Sequence, residues 1–424
     1  MHQLSVLDRL SSKTVIFWLL LASIFTANIV HSYYSYKKLT EFEYTTLHAK
    51  LISSKERRGQ NGQVYFSLFL RSGELDFRAY SKSDMKDKEG RYFDAIVKTK
   101  GLTFVDILKT PRLRIESMKP SNETDTLQAA FKNFISSQHK EIVTKEIYLN
   151  LFLNSEVGEE VEGFISGYGL GAFFAISGLN VALLTGFIFI VLSPMVRFFQ
   201  DRFFPYIDRR FWIFVFCFVL LAFYAYLTDF TPSFVRAVIA AIIVFYFALR
   251  GDEVLNYKTL FLTTTICLAL FPSFLFSIGF WLSFYGVFLI FLFLQNTHFK
   301  HKIVIYIALS SWLFAAMLPI IHYIFALFTK AHLLNSLFSV AFDIFYPISL
   351  SAHLLGLGWL FDSFLLTAVD SSRGLAREEF LTPLWFFVSY VALSFGAAFK
   401  KELFFAFNAA MLAYFAAVMV YLWN

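Results

Sequence analysis

Apolar runs long enough to cross a bilayer recur along this chain, from VIFWLLLASIFTANIV at residues 15–30 to the stretch at 403–422. In hydrocarbon every backbone amide and carbonyl must be paired inside the protein, so runs of this length become helices packed in a bundle. Further runs fall at residues 169–196, 212–227, 234–249, 260–276, 280–294, 303–328 and 380–399. A proline-broken stretch at 333–369 is expected to cross twice as short pieces, or once with a re-entrant turn. The reading is a mainly α, polytopic α-helical membrane protein of about 10–11 spans. Composition agrees, since 57% hydrophobic residues and 56 phenylalanines are too many for a soluble chain of 424 residues. Cys217 and Cys267 both lie in apolar runs, so no disulfide framework is expected.

No small-x-small cleavage site follows the first run, and Tyr33, Tyr34, Lys37 and Lys38 form an interfacial belt at its end, so it is read as an uncleaved anchor. Residues 41–117 then hold 15 Lys/Arg and 11 Asp/Glu, which marks a water-facing domain. Leu47, Ala49 and Leu51 alternate with polar residues, as do Val64, Phe66, Leu68 and Leu70, and shorter runs follow at 75–77, 95–97 and 113–115. Five short strands suit a small β-barrel, either of the oligonucleotide/oligosaccharide-binding (OB-like) kind or of an SH3-like kind. Its first long loop, SKERRGQNGQ, holds Lys55, Arg57 and Arg58, while Arg71, Arg78 and Lys82 fall near Tyr65, Phe69 and Tyr80. Cations for phosphates and flat rings for unstacked bases are what single-stranded nucleic acid requires; a solvated face over core aromatics is the alternative.

In the connector, SNET offers Ser121 or Asn122 as a helix N-cap, and Leu127, Phe131, Phe134 and Ile135 recur on one face. An amphipathic helix at the membrane surface is expected there, with a second such piece at 141–153. Arg197, Arg202, Arg209 and Arg210 share one loop, Arg250 and Lys258 another, Lys300 and Lys302 a third. With residues 1–13 cytoplasmic, all three loops fall inside as the positive-inside rule asks, and the barrel is extracytoplasmic.

Polar residues inside apolar segments mark the candidate path. FFAISGLNVALL carries Ser177, Gly178 and Asn180; TDFTPSFVRA carries Asp229, Pro232 and Arg236; FPSFLFSIGFWLSFYG carries Gly279, Trp281 and Ser283; the broken stretch carries Asn335 and Asp343. Structural anchoring is the competing reading for Arg236, and close helix packing for Gly279 and Ser283. No catalytic set, metal cluster, cofactor motif or phosphate-binding loop is found, so enzymatic activity is not expected.

These blocks resemble a known family. AISGLNV at 175–181, preceded by Gly169 and Leu170, is similar to the AISGLHV signature of the ComEC competence proteins, the inner-membrane DNA channels of natural transformation. LTDFTPSFVRA resembles that family's LTGFSPSVVRA, SIGFWLSF its DVGFQLSF, and LPIIHY with the later LLNS its LP-aromatic and N-L-L blocks. Asn180 stands where the family usually has histidine, Ala172 at a second histidine position, and Asp229 at a glycine. Many members carry a C-terminal metallo-β-lactamase-like domain; none follows residue 424 here, so strand degradation is expected of another protein.

The resemblance implies a short-form channel for single-stranded DNA in the bacterial cytoplasmic (inner) membrane. It implies a cytoplasmic ATP-dependent DNA translocase as motor and a periplasmic DNA receptor as supplier, with membrane lipid around the spans and homo-oligomerisation left open. The expected organisation is 1–40 as cytoplasmic stub and first span, 41–118 as barrel, 119–160 as connector and 161–424 as the competence-type transmembrane domain. The rival functions are secondary transport of a small solute and a membrane scaffold or receptor with a binding barrel.

Overall fold

The protein is described by a computed structural model over residues 12–58, 63–73, 75–124, 126–174, 178–203, 209–250, 256–297 and 300–423. The chain divides into two compact units: one draws on Met1–Ala129, Ile239–Val254 and Lys258–Trp281, the other on Ala130–Val238, Leu255–Tyr257 and Leu282–Asn424.

The first unit begins with helix α1 (Ser12–Leu39), followed by β1 (Tyr44–Arg58), β2 (Val64–Ser72), β3 (Leu75–Ser81), β4 (Arg91–Lys98), the short helix α2 (Phe104–Leu108) and β5 (Arg114–Thr124). The strands pair antiparallel in the order β3-β2-β1-β4-β5. A parallel bridge between Arg78 and Arg112 joins the two outer edges, with Arg78 N–H donating to Pro111 O at 2.8 Å and Leu113 N–H to Arg78 O at 2.7 Å. The sheet thus closes, through this one bridge, in the strand order of an OB barrel. Ala49, Leu51, Leu68, Leu70, Phe77, Ala79, Phe93, Ala95 and Val97 alternate inward and fill it.

The barrel docks on α1 within the same unit. Phe104 of α2 packs against Tyr33 and Tyr36 with ring centroids 5.6 and 6.0 Å away, and the Tyr36 hydroxyl donates to Leu102 O at 3.1 Å. The tyrosine belt that sequence assigned to a lipid interface therefore also serves as a protein contact.

Three local expectations are overturned. Lys55, Arg57 and Arg58 lie on β1 and not in a loop, because β2 continues the ladder to the Arg58–Val64 pair and backbone pairing is indifferent to the charge of outward side chains. Ser121 and Asn122 cap no helix: β5 runs on to Thr124, held by the pairing of Thr124 with Arg91, and α3 (Thr126–Ser136) starts after it. Helix α4 (Ile142–Leu153) does not lie as a surface piece, since Ile147, Tyr148, Leu151 and Phe152 are buried in the core of the second unit.

After α4 come α5 (Glu159–Gly167), α6 (Gly171–Phe174), α7 (Gly178–Phe203), α8 (Arg209–Leu227), α9 (Pro232–Arg250), α10 (Tyr257–Leu270), α11 (Ile278–Asn296), α12 (Lys302–Ile324), α13 (Asn335–Leu354), α14 (Asp362–Ser372), α15 (Leu384–Ala397) and α16 (Lys401–Trp423). Among the described residues, six helical stretches are long and apolar enough to cross a membrane: Val15–Leu39, Asn180–Phe198, Ile278–Asn296, Lys302–Ile324, Lys330–Leu354 and Lys401–Trp423. Trp212–Leu227, Pro232–Phe247, Tyr257–Leu270 and Leu384–Ala397 are shorter apolar helices. The fold is a polytopic helical membrane protein with a small β domain. Two expected spans end early: the one at 260–276 stops at Leu270 before a 3-10 turn at Pro272–Phe276, and the one at 303–328 stops at Ile324 before the strand pair Leu327–Phe328 with Glu378–Glu379. In the broken stretch, α13 is continuous through Pro347, and α14 covers 11 residues, about 17 Å at helical rise against about 30 Å of hydrocarbon. One full crossing followed by a partial one fits those lengths.

Phe77 is fully buried at the centre of the barrel. Phe77→Ala is expected to cost the β domain about 3–5 kcal/mol and to expose residues 44–124 to protease before the helices yield; cutting indistinguishable from wild type would contradict this role.

Candidate functional site

The sequence blocks meet through small, specific contacts in the second unit. Helix α5 leaves carbonyls unpaired at its C-terminus, and side chains from the fourth block cover them. Nε2 of His332 donates to Ser166 O at 2.8 Å, and the Thr329 hydroxyl donates to Gly167 O at 2.5 Å. Gly169 turns the chain there with φ 67°, and a Cβ on it would stand 2.8 Å from both Asn335 Nδ2 and the His332 ring. Only glycine suits both the backbone and the space. The Oδ1 of Asn335 is buried without a hydrogen-bond partner.

Helix α7 starts at Gly178, whose missing Cβ would lie 3.7 Å from Arg236 Nη2 and 3.8 Å from the Ala237 Cβ, so the first and second blocks approach closely here. Asn180 is 1% exposed, and neither atom of its amide finds a partner. Arg236, at 3% exposure, directs Nε (3.1 Å) and Nη2 at the hydroxyl of Ser283, which brings in the third block. Val181, Leu221, Ala225, Phe234 and Ala237 form an apolar wall in the same place. Arg236 falls in the second turn of α9, because Pro232 opens the helix two residues before the apolar run expected at 234–249.

The turn before α9 explains one departure from the family pattern. Asp229 and Phe230 both hold φ at 51°, and Phe230 N–H donates back to Ala225 O at 2.8 Å. Glycine adopts this left-handed conformation freely; aspartate tolerates it better than most residues. Asp229 thus occupies a position whose backbone favours the glycine of the related motif.

Gly279 and Trp281 belong to the first unit. Gly279 is exposed, and Trp281, 39% exposed, donates Nε1–H to Leu275 O at 2.8 Å. Ser177 lies outside the described residues. Sequence reasoning passed over Thr329 and His332, whose signal was only nearness to the LLNS block. It also left the histidine of LPIIHY without a role. Nδ1 of His322 meets the Tyr414 hydroxyl at 2.9 Å, that hydroxyl meets Thr382 at 2.6 Å, and the Nε2 of His322 is buried without a partner.

The barrel presents a second candidate surface. Strand register places Arg57 opposite Tyr65, Lys55 opposite Ser67, Ser67 opposite Tyr80 and Phe69 opposite Arg78, all on the outward face of β1, β2 and β3. Tyr80 is 49% exposed, Arg57, Arg78 and Lys82 are exposed, and the Tyr65 and Tyr80 rings meet edge to face at 5.4 Å. Arg71 is committed elsewhere, with Nε and Nη2 at 2.5 and 2.9 Å from the Asp76 carboxylate. The Arg58 side chain lies outside the described residues.

Gly169→Ala adds both a strained φ and a 2.8 Å contact, so it is expected to destabilise the α5 end by about 1–3 kcal/mol, whereas Asp229→Gly should be neutral or mildly stabilising. Thermal unfolding in detergent compares the two, and equal effects would contradict the backbone argument.

Neither the curated proteins nor the solved structures give a match. The family model described as "Competence protein" matches residues 154–424, more than half of the chain, and this stretch contains all four blocks. The chain is a member of the competence protein family.

Proposed function

We propose that the chain passes single-stranded DNA across the cytoplasmic membrane, with the β domain on the outer side, a reading that rests on membership of the competence family and on the membrane-compatible helices. The observation that supports this is the outward face of β1, β2 and β3, where Arg57 and Arg78 alternate with Tyr65 and Tyr80 and the exposed Lys82 follows just past the end of β3. Cations answer the phosphates of a strand, and exposed rings stack its bases without regard to sequence. Neither a small solute nor a glycan needs both in an extended row.

Transfer inward is uphill, by about 2.3 kcal/mol per phosphate charge for each 100 mV of membrane potential. A passive pore does not import DNA against that, so a cytoplasmic ATP-dependent translocase pulls the strand and a periplasmic receptor hands it over. Within the membrane, Arg236, Asn180 and Ser283 supply charge and hydrogen bonding along the route, with Gly169 and Asn335 shaping its wall. A buried amide whose atoms find no partner is costly as permanent architecture, and Nδ2 of Asn180 would donate to a passing phosphodiester.

Two measurements test this reading. For the full chain in nanodiscs, the triple change Arg57→Gln, Arg78→Gln and Lys82→Gln should flatten the log–log salt dependence of single-strand affinity by about 2, near 0.7 for each lost phosphate contact. An unchanged slope would remove the barrel face from the route. For Asn180, entry of labelled DNA into cells should survive Asn180→His and fail in Asn180→Leu, since hydrogen bonding and not protonation is what the site requires; normal entry with leucine would exclude the amide from the path.

A further inference from the structure

Between α3 and α4 the chain turns through Gln138 and His139, and both side chains bind the facing ends of α13 and α14. Gln138 Nε2 donates to His353 O at 3.1 Å, and its Oε1 accepts from Gly358 N–H at 2.8 Å. A Cβ at position 358 would stand 2.7 Å from that Oε1 and 2.8 Å from the His353 ring, so glycine is needed for the turn to seat. His139 is buried and stacked on Tyr148 with ring centroids 4.5 Å apart. Its Nδ1 lies 2.9 and 3.1 Å from the two carboxylate oxygens of Asp362, and its Nε2 lies 3.0 Å from Nε2 of His353. Nδ1 of His353 is 2.7 Å from Ser349 O.

The hydrogens in this chain can be counted. A carbonyl only accepts, so His353 carries its hydrogen on Nδ1 and, when neutral, offers a lone pair at Nε2. The contact between the rings then needs a hydrogen on Nε2 of His139. The contact with Asp362 needs one more, either on Nδ1 of an imidazolium facing a carboxylate or on a carboxylic acid facing a neutral ring. Both placements give the same total, one proton more than a carboxylate and two neutral imidazoles. Without that proton, two acceptors face each other at one of the contacts. With a second on His353, two N–H groups collide; with a second on Asp362, a buried imidazolium loses its counter-charge. Among the described residues no group of three His, Cys, Asp or Glu could hold a metal ion, and 3.0 Å suits an N–H hydrogen bond.

We propose that Asp362, His139 and His353 form a proton-counting latch: it holds the connector turn to the ends of α13 and α14 while it carries one proton, and releases it when it carries none or two. The groups facing His139 are Asp362 of α14, His353 of α13, and Tyr148 and Lys145 of α4. Burial pushes the His139 imidazole down, which slides the shared proton toward the Asp362 carboxyl without altering the count. The charge of Lys145 pushes His139 the same way, and burial pushes the Tyr148 hydroxyl up, so that it stays neutral.

The released turn, with two free imidazoles and a free carboxyl, binds one proton in total near pH 6.5. Below that pH it binds more than the closed latch, so closure strengthens as pH rises; above, it binds fewer, so closure weakens as pH rises. The closing constant therefore peaks near pH 6.5 and falls about eightfold by pH 5 and again by pH 8.

Hydrogen exchange of backbone amides 137–145, measured as protection factors on the full chain in nanodiscs, reads this profile. Protection should peak near pH 6.5 with an about eightfold loss at pH 5 and at pH 8. Asp362→Asn lets the amide donate to a neutral His139, so the chain closes with no extra proton and only the acid-side loss should remain. His353→Gln keeps an acceptor for Nε2 but removes the second titrating ring, so only the alkaline-side loss should remain. A wild-type profile flat from pH 5 to pH 8 overturns the latch, as does either folded variant keeping both losses; the wild-type profile decides alone if a variant does not fold.

Discussion

Hydrocarbon offers no partner for a polar group, and the arrangement of the membrane part follows from that single constraint. Where a helix stops, its last carbonyls lack partners within the helix and must be met from elsewhere. Asn28 does this for α10, donating to the carbonyls of Ala269 and Leu270, and Thr329 with His332 do it for α5. Such contacts tie distant parts of the sequence at defined points, so interrupted helices become fixed elements of the fold. Against this background, Asn180 and Asn335 are notable because buried amide atoms there are left unanswered, in positions that belong to the family blocks.

The β domain answers the same requirement by another route. Its backbone is paired around a closed sheet, and the alternation of side chains separates an apolar interior from a charged and aromatic exterior. Cations and rings scattered in sequence come onto one surface because the register sets them opposite one another. Arg71 shares that surface but pairs with Asp76, so composition alone overstates the free positive charge.

The connector between these two parts is more than a tether. Gln138 and His139 use four side-chain contacts to hold the ends of α13 and α14, and α4 contributes much of a buried core. A segment that looked amphipathic and superficial is thus placed where a change of protonation would be felt by two helices at once.

Class, approximate span positions and the existence of a small barrel were legible in the residues because they rest on period and length: alternation at Leu47, Ala49 and Leu51, and apolar runs of helical reach, are local properties. The four blocks were legible too, as polar residues that an apolar helix does not need. Strand limits were not, since β1 through Arg58 and β5 through Thr124 depend on partners far along the chain. Nor was the meeting of Gly178, Arg236 and Ser283, or of Gly169 with Asn335, because packing brings together residues that no periodicity relates. Sequence by itself determined what must be buried and what must be paired; tertiary structure decided which group pairs with which, because hydrogen bonds and close contacts act over a few ångströms between elements whose mutual placement depends on the whole bundle.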